Sequence, residues 1–209
     1  MGEFLLPLFP LNVVLFPGTR LPLHIFEERY KQMVADCLEA QCEFGVVLTQ
    51  GRSMEQAGCT ASISQITRRY EDGRIDIVAR GRRRFEILLL DRAKPYLRGA
   101  TQFFDDEAGP VPLEDSRRRA LELYEQVKEM LPPEAQQPGG SSPDRSDEQL
   151  SYQIMGCLPA DLKFKQALLE NRSESDRLTE VISYLQNVAG HLSLVIKTRA
   201  KAGGNGQGR

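Results

Sequence analysis

Residues 61–79 read ASISQITRRY-EDG-RIDIVA, and this stretch decides how the first half of the chain folds. Two segments rich in strand-forming residues flank Asp72-Gly73, and an Asp-Gly pair in that setting is a strong signal for a β-hairpin. Ile63 and Ile66 can share one face of the first strand only if a β-bulge separates them. The stretch therefore predicts two antiparallel strands, of which the first is irregular.

Apolar runs on both sides of this hairpin predict further strands and one helix. Tyr30, Val34 and Cys37 recur at helical spacing, which predicts a helix over 27–39. Gly81 is expected to interrupt the strand that follows the hairpin. The additional predicted strands, each bounded by turn signals, are Phe4–Leu8, Val13–Phe16, Phe44–Thr49, Phe85–Leu90 and Tyr96–Phe104.

After Asp105 the apolar pattern is helical throughout. A capping box formed by Ser146 and Gln149 is expected to begin one helix, and Asp161 is expected to begin another. The last helix carries a long apolar stripe, which predicts packing against neighbouring helices, with dimerisation as the alternative. The predicted helices span 114–131, 146–158, 161–170 and the residues from 173 onward.

These patterns predict an α+β fold with a β-rich domain over 1–108 and a C-terminal α-helical bundle. The first helix of the bundle lies within 109–131 and the other helices lie within 147–199. Residues 132–146 are rich in Pro, Gly and Ser, which predicts a flexible linker that limited proteolysis should cleave first. Residues 200–209 are expected to form a disordered tail.

The composition is that of an ordinary globular protein. Hydrophobic residues make up 41%, charged residues 27%, and the net charge is -2, which argues against a surface devoted to polyanions. The apolar start has no preceding cation and is interrupted by Pro7 and Pro10, so it fits neither a signal peptide nor a membrane span. The four cysteines show no CxxC pair and are expected to be reduced. We therefore expect a cytoplasmic protein without membrane contact.

The sequence contains no recognisable catalytic, cofactor-binding or metal-binding motif. It has neither the glycine-rich loop and Lys that hold a nucleotide nor the Gly-x-Ser-x-Gly turn of serine hydrolases. His24 fits a strand histidine, and His191 lies beside the apolar stripe of the last helix. The acidic triplet Asp105-Asp106-Glu107 is expected to be a solvated turn. We therefore expect no enzyme, no cofactor and no metal.

A cluster of arginines in and after the hairpin is the sharpest electrostatic feature. Such a cluster could contact nucleic-acid phosphates, but stacking aromatic residues are sparse around it. The alternative interpretation is a solvated hairpin edge that charge protects from aggregation. Nucleic acid, RNA in particular, is therefore kept only as the alternative partner. The residues concerned are Arg68, Arg69, Arg74, Arg80, Arg82, Arg83 and Arg84.

The segments LPLFPLNVVLFPG at 6–18 and LPLHIFEERY at 21–30 resemble the opening of the Lon N-terminal domain. The resemblance implies a PUA-like β-barrel-type domain followed by a helical bundle. In Lon proteases this region recognises substrate proteins, and ATPase and Ser-Lys protease domains follow it. The motifs of those two domains have no counterpart in the 209 residues. The resemblance continues at Gly58-Cys59, Asp72-Gly73, Arg80–Phe85, Leu150–Leu158, Leu162–Leu169 and Asp176–Leu178.

The resemblance thus implies a stand-alone, non-enzymatic module that binds unfolded or partner proteins. We expect it to be a monomer or a weak homodimer. Phe16, Leu21 and Phe26 surround the Pro17-Gly18 turn, and large apolar groups beside an exposed turn can form a recognition patch. The competing interpretation is that all three side chains fill the barrel core. The sequence leaves both open.

Overall fold

The computed structural model describes residues 5–132 and 142–204. The predicted linker at 132–146 therefore lies largely outside the described residues, as does the end of the predicted tail. The strands are β1 (Leu6–Leu11), β2 (Arg20–Ile25), β3 (Phe44–Gln50), β4 (Ser53–Arg69), β5 (Ile75–Asp91) and β6 (Arg98–Phe104). The helices are α1 (Glu28–Ala40), α2 (Glu114–Met130), α3 (Leu150–Cys157), α4 (Leu162–Glu170) and α5 (Glu174–Gly204).

The strands form one sheet that closes on itself. Its order is β2-β5-β4-β3-β1-β6, and a further pairing of β5 with β6 completes a ring. β5 is long enough to do this because its first part pairs with β4 and its last part pairs with β6. All of these pairs are antiparallel except β1 with β3. The predicted α+β fold with a barrel-type β half and a helical half is confirmed.

A small apolar core contains buried side chains from three strands of the ring, β1, β3 and β5. Phe85 is fully buried with Leu6, Leu8 and Val47. An added Cβ at Gly45 would lie 2.5 Å from the Phe85 ring, so glycine at this position makes room for it. These residues form a small core that is separate from the larger one.

A second, larger core joins the β half to the helices. It contains side chains from β3, β4 and β5 together with buried residues of all five helices, such as Ile154 and Leu185. Phe16 stacks on Tyr152 of α3 with ring centroids 4.9 Å apart. The two halves therefore share one apolar interior, because neither buries its apolar face alone.

Most local signals in the sequence hold. The turn of the β4–β5 hairpin has Gly73 at φ 82°, and the register of the ladder shifts between Ile63 and Gln65, as the predicted bulge requires. The side chain of Asp161 accepts hydrogen bonds from the backbone N–H groups of Lys163 and Phe164, so it caps α4 as predicted.

Four expectations about local structure are wrong. Residues 13–16 form no strand, although their apolar side chains are buried in the larger core. Gly81 lies inside the continuous strand β5, and glycine is needed there because the backbone of Phe16 passes too close to allow a Cβ. Ser146 does not cap α3: its hydroxyl bonds to Asp144. α5 continues to Gly204, into the predicted tail.

Candidate protein-interaction site

The described residues contain no cluster suited to metal binding. Among residues 5–132 and 142–204, no group of three or more His, Cys, Asp or Glu could hold a metal ion. Burial raises the pKa of the Cys59 thiol to about 12, which makes this sulfur a poor nucleophile. Across the same residues, no helix is long and apolar enough to span a membrane.

One arginine of the predicted basic cluster is buried. The Arg84 side chain is 2% exposed and lies between the sheet and the helices. It donates to Asp106 at 2.5 Å, to the Tyr152 hydroxyl at 2.9 Å and to the Asn171 carbonyl at 2.8 Å. It is therefore not part of a solvated hairpin edge, and the interpretation of Arg84 as a surface residue is wrong.

Asp106 completes this buried cluster with a second arginine. Arg177 of α5, whose side chain is fully buried, donates to both Asp106 carboxylate oxygens at 2.7 Å and to Glu174 at 2.8 Å. Burial would raise the pKa of Asp106, but hydrogen bonds and charges from Arg177 and Arg84 outweigh it and hold this pKa below its usual value. Asp106 is thus a structural ion-pair residue and not a solvated turn residue.

The remaining arginines of the cluster do not form one uncompensated surface. Arg68 and Arg74 both lie over the Tyr70 ring, and Arg69 and Arg80 are exposed. Several have acidic partners, which lowers the positive potential that a phosphate backbone would meet. The ion pairs are Arg74–Asp72 at 2.6 Å, Arg82–Glu43 at 3.7 Å and Arg83–Asp105 at 3.7 Å.

The three residues of the predicted apolar patch are separated by burial. Phe16 is 1% exposed and belongs to the core, so its place in an exposed patch is a wrong expectation. Leu21 is half-buried against the same core. Phe26 is 60% exposed and is the one member available to a partner. The Phe16 side chain points into the core, where its ring stacks on Tyr152.

A run of exposed apolar side chains lies elsewhere, at the end of β5. Leu88, Leu89 and Leu90 are 58%, 71% and 43% exposed. The β4–β5 ladder ends where Ala57 faces Glu86, and beyond it β5 pairs, among the described strands, with β6 alone. We call these three leucines the leucine edge. It combines exposed apolar side chains with an open strand border, and both are features of surfaces that accept an extended chain.

The leucine edge was not recognised in the sequence. The apolar run at 85–90 predicts a strand. The residue types alone do not show whether the side chains of that strand are buried or exposed. A register shift between Ile87 and Leu89 makes the strand irregular at this place. Three consecutive leucines could have been a warning, because a one-sided strand would alternate apolar with polar residues.

Comparison with known proteins places this geometry in a family. The family model described as "ATP-dependent protease La (LON) substrate-binding domain" matches residues 5–187. Lon protease of Cytophaga hutchinsonii is 24% identical over 196 residues, which cover 86% of this chain and 24% of that protein. Lon protease of Parabacteroides distasonis is 31% identical over 109 residues, covering 48% of this chain and 13% of that protein. The chain thus spans a quarter or less of the length of these relatives.

Two solved structures share the fold. The Lon N-terminal domain protein from Xanthomonas campestris superposes with a TM-score of 0.69 at 22% identity, covering 87% of this chain and 98% of that one. The N-terminal domain of a Mycobacterium avium complex Lon protease gives 0.63 at 15% identity, covering 88% and 98%. With the family match over residues 5–187, these likenesses confirm the predicted resemblance. The chain belongs to the family of Lon substrate-binding domains.

Proposed function

We propose that this protein is a non-enzymatic module that binds extended apolar segments of non-native proteins. The observation that carries the proposal is the leucine edge, where Leu88, Leu89 and Leu90 are exposed beside an open strand border. The substrate-binding role in the family's description and the relatives named Lon protease support a protein ligand.

The chemistry of the leucine edge suits an unfolded segment better than a folded protein. An extended chain can add to the open border through backbone hydrogen bonds, which do not depend on sequence. Its apolar side chains can then cover the leucines, and each buried leucine contributes about 1.5–3 kcal/mol. A folded protein keeps most of its strands paired and most of its large apolar side chains buried.

The experiment compares two double variants that lose similar apolar surface. Leu88→Ser with Leu89→Ser alters the leucine edge. Val111→Ser with Leu113→Ser is the control, since these side chains are 78% and 74% exposed outside the sheet. All four substitutions are at exposed positions, so stability should change by about 0.5 kcal/mol or less. Binding is measured by fluorescence anisotropy with labelled, reduced and carboxymethylated α-lactalbumin.

The leucine-edge variant should bind at least about 10-fold more weakly than the wild type, because about 1.4 kcal/mol or more of apolar contact is lost. The control variant should bind within about twofold of the wild type. Equal weakening of both variants would show that binding is general hydrophobic adhesion. Unchanged binding of the leucine-edge variant would remove this surface from the proposal.

A further inference from the structure

The outer border of β2 is a second open strand edge, at the opposite end of β5 from the leucine edge. Among the described strands β2 pairs only with β5, in a regular ladder from Arg20 opposite Arg80 to Ile25 opposite Ile75. Within residues 5–132 and 142–204, no other strand covers its second side. This border therefore has backbone groups available to a partner.

The hydrogen bonds next to β2 identify which backbone groups face outward. The N–H of Gly81 donates to the carbonyl of Thr19 at 2.9 Å, so odd-numbered residues of β2 bond to β5 and even-numbered ones face away. Pro22 is one of the outward residues, so its missing N–H costs the sheet nothing. The border thus offers the N–H groups of Arg20 and His24 and the carbonyls of all three outward residues.

The charge on this face is uncompensated. Arg20 stands directly opposite Arg80, and both side chains are exposed. Like charges directly opposite on neighbouring strands are destabilising. Neither arginine has an ion-pair partner in the part of the chain that the structure describes. Asp76, on the same face of β5, is already bonded to His24 at 2.5 Å and to the Tyr70 hydroxyl at 2.8 Å. A carboxylate from outside would complement the pair.

An aromatic surface lies two rows away on the same face. The His24 ring stacks on Phe26 with centroids 5.9 Å apart, and Tyr70 meets it edge-on at 5.8 Å. Phe26 is 60% exposed. An apolar side chain beside His24 would cover this surface. Phe26 is also the exposed member of the apolar patch that the sequence predicts.

We propose that the outer border of β2 binds an extended, acidic peptide segment as an added antiparallel strand. The segment carries an apolar side chain opposite His24 and, four residues later, a carboxylate opposite Arg20 and within reach of Arg80. This interaction is separate from the proposed function, since it uses another surface and selects for acidic character. A second copy of this chain fits less well, because antiparallel pairing about Pro22 would place Arg20 beside His24 of the other copy.

The test uses a fluorescein-labelled peptide, Ser-Gly-Phe-Thr-Val-Thr-Glu-Gly-Ser, and its Glu→Lys form. The wild-type chain of 209 residues is compared with Arg20→Glu and with Arg52→Glu, a control at an exposed arginine in the β3–β4 turn. The Arg20 variant should bind the acidic peptide at least about 10-fold more weakly and should gain binding to the lysine peptide. Arg52→Glu should leave both affinities within about twofold of the wild type.

A second pair of peptides tests the added strand itself. N-methylation of Val removes an N–H that faces the Pro22 carbonyl, whereas N-methylation of the preceding Thr alters one that faces away. The first should abolish binding and the second should change it by less than about threefold. Equal effects of both, or equal weakening by Arg20→Glu and Arg52→Glu, would overturn the proposal. Tighter binding of a uridine decamer than of the peptide would also overturn it. So would concentration-dependent dimerisation of the wild type that Arg20→Glu abolishes, and so would the absence of peptide binding at 1 mM.

Discussion

Replacing Asp106 by Ala tests how the two halves of the molecule are held together. The Asp106 carboxylate accepts hydrogen bonds from two guanidinium groups, Arg84 at 2.5 Å and Arg177 at 2.7 Å. Those two side chains are 2% and 0% exposed. Removing the carboxylate leaves two buried cations, of which Arg177 keeps Glu174 as a partner.

The size of the effect follows from that burial. Breaking a buried ion pair by removing one partner costs about 3–5 kcal/mol, because the remaining charge is left without compensation. For a chain of this length each 1 kcal/mol lowers the melting temperature by about 2–4 °C. We therefore expect Asp106→Ala to lower the melting temperature by about 6–20 °C at pH 7.

The pH dependence has a definite sign. The pKa of Asp106 is lowered in the folded protein, because Arg177 and Arg84 outweigh the opposing effect of burial. A carboxyl group whose pKa is lowered in the folded state contributes its full stabilisation to the fold above its unfolded pKa of about 3.9. That contribution is lost as the pH falls through the folded pKa. The difference in stability between wild type and variant should be constant from pH 7 to about pH 5 and should shrink below about pH 4.

The assay is chemical and thermal denaturation of Asp106→Ala beside Asp105→Ala. Asp105 is a matched control, since its side chain is 78% exposed and lies 3.7 Å from Arg83. The control should lose about 0.5 kcal/mol or less of unfolding free energy. Equal losses in the two variants, or a loss below about 1 kcal/mol in Asp106→Ala, would refute the reasoning that the cluster joins the halves.

Three further predictions concern single positions. Gly81→Ala should lower the free energy of unfolding, measured by urea denaturation, by more than about 2 kcal/mol, because the added Cβ would collide with the carbonyl of Phe16. Gly190→Ala is the matched control: the space around Gly190 is open, so this variant should stabilise α5 by about 0.5–1 kcal/mol. Burial lowers the pKa of Lys165 to about 8, so its charging below that pH costs stability. Lys165→Met should raise the melting temperature at pH 7, and the gain should fade as the pH approaches 10, where the unfolded amine also loses its proton. Cys59, buried with a pKa of about 12, should react with iodoacetamide at pH 8 only after denaturation, as mass spectrometry would detect.

Features that depend on neighbouring residues could be predicted from the sequence. The β4–β5 hairpin follows from Asp72-Gly73, because the turn needs the φ of 82° that Gly73 adopts. The start of α4 follows from Asp161, whose side chain bonds to two backbone N–H groups within three residues. Both signals act through contacts within a few residues of the chain, so the sequence alone shows them.

Features that depend on distant partners could not be predicted. Arg83 and Arg84 are adjacent arginines in the same basic run. Of these two, Arg84 alone donates hydrogen bonds to Asp106 and to the carbonyls of residues 169 and 171. The leucine edge is exposed because β5 leaves β4 after Glu86, which is a property of the closed sheet and not of the leucines. Burial of Phe16 likewise depends on Tyr152, 136 positions later in the chain.

The most direct test of the proposed function compares two states of one ligand. Native α-lactalbumin and its reduced, carboxymethylated form are labelled identically and titrated with the wild-type protein. The proposed function predicts saturable binding of the unfolded form below about 100 μM and binding of the native form at least about 100-fold weaker, because the unfolded chain exposes backbone groups and apolar side chains that the native fold keeps paired and buried. Equal affinity for the two forms, or binding of neither, would contradict it.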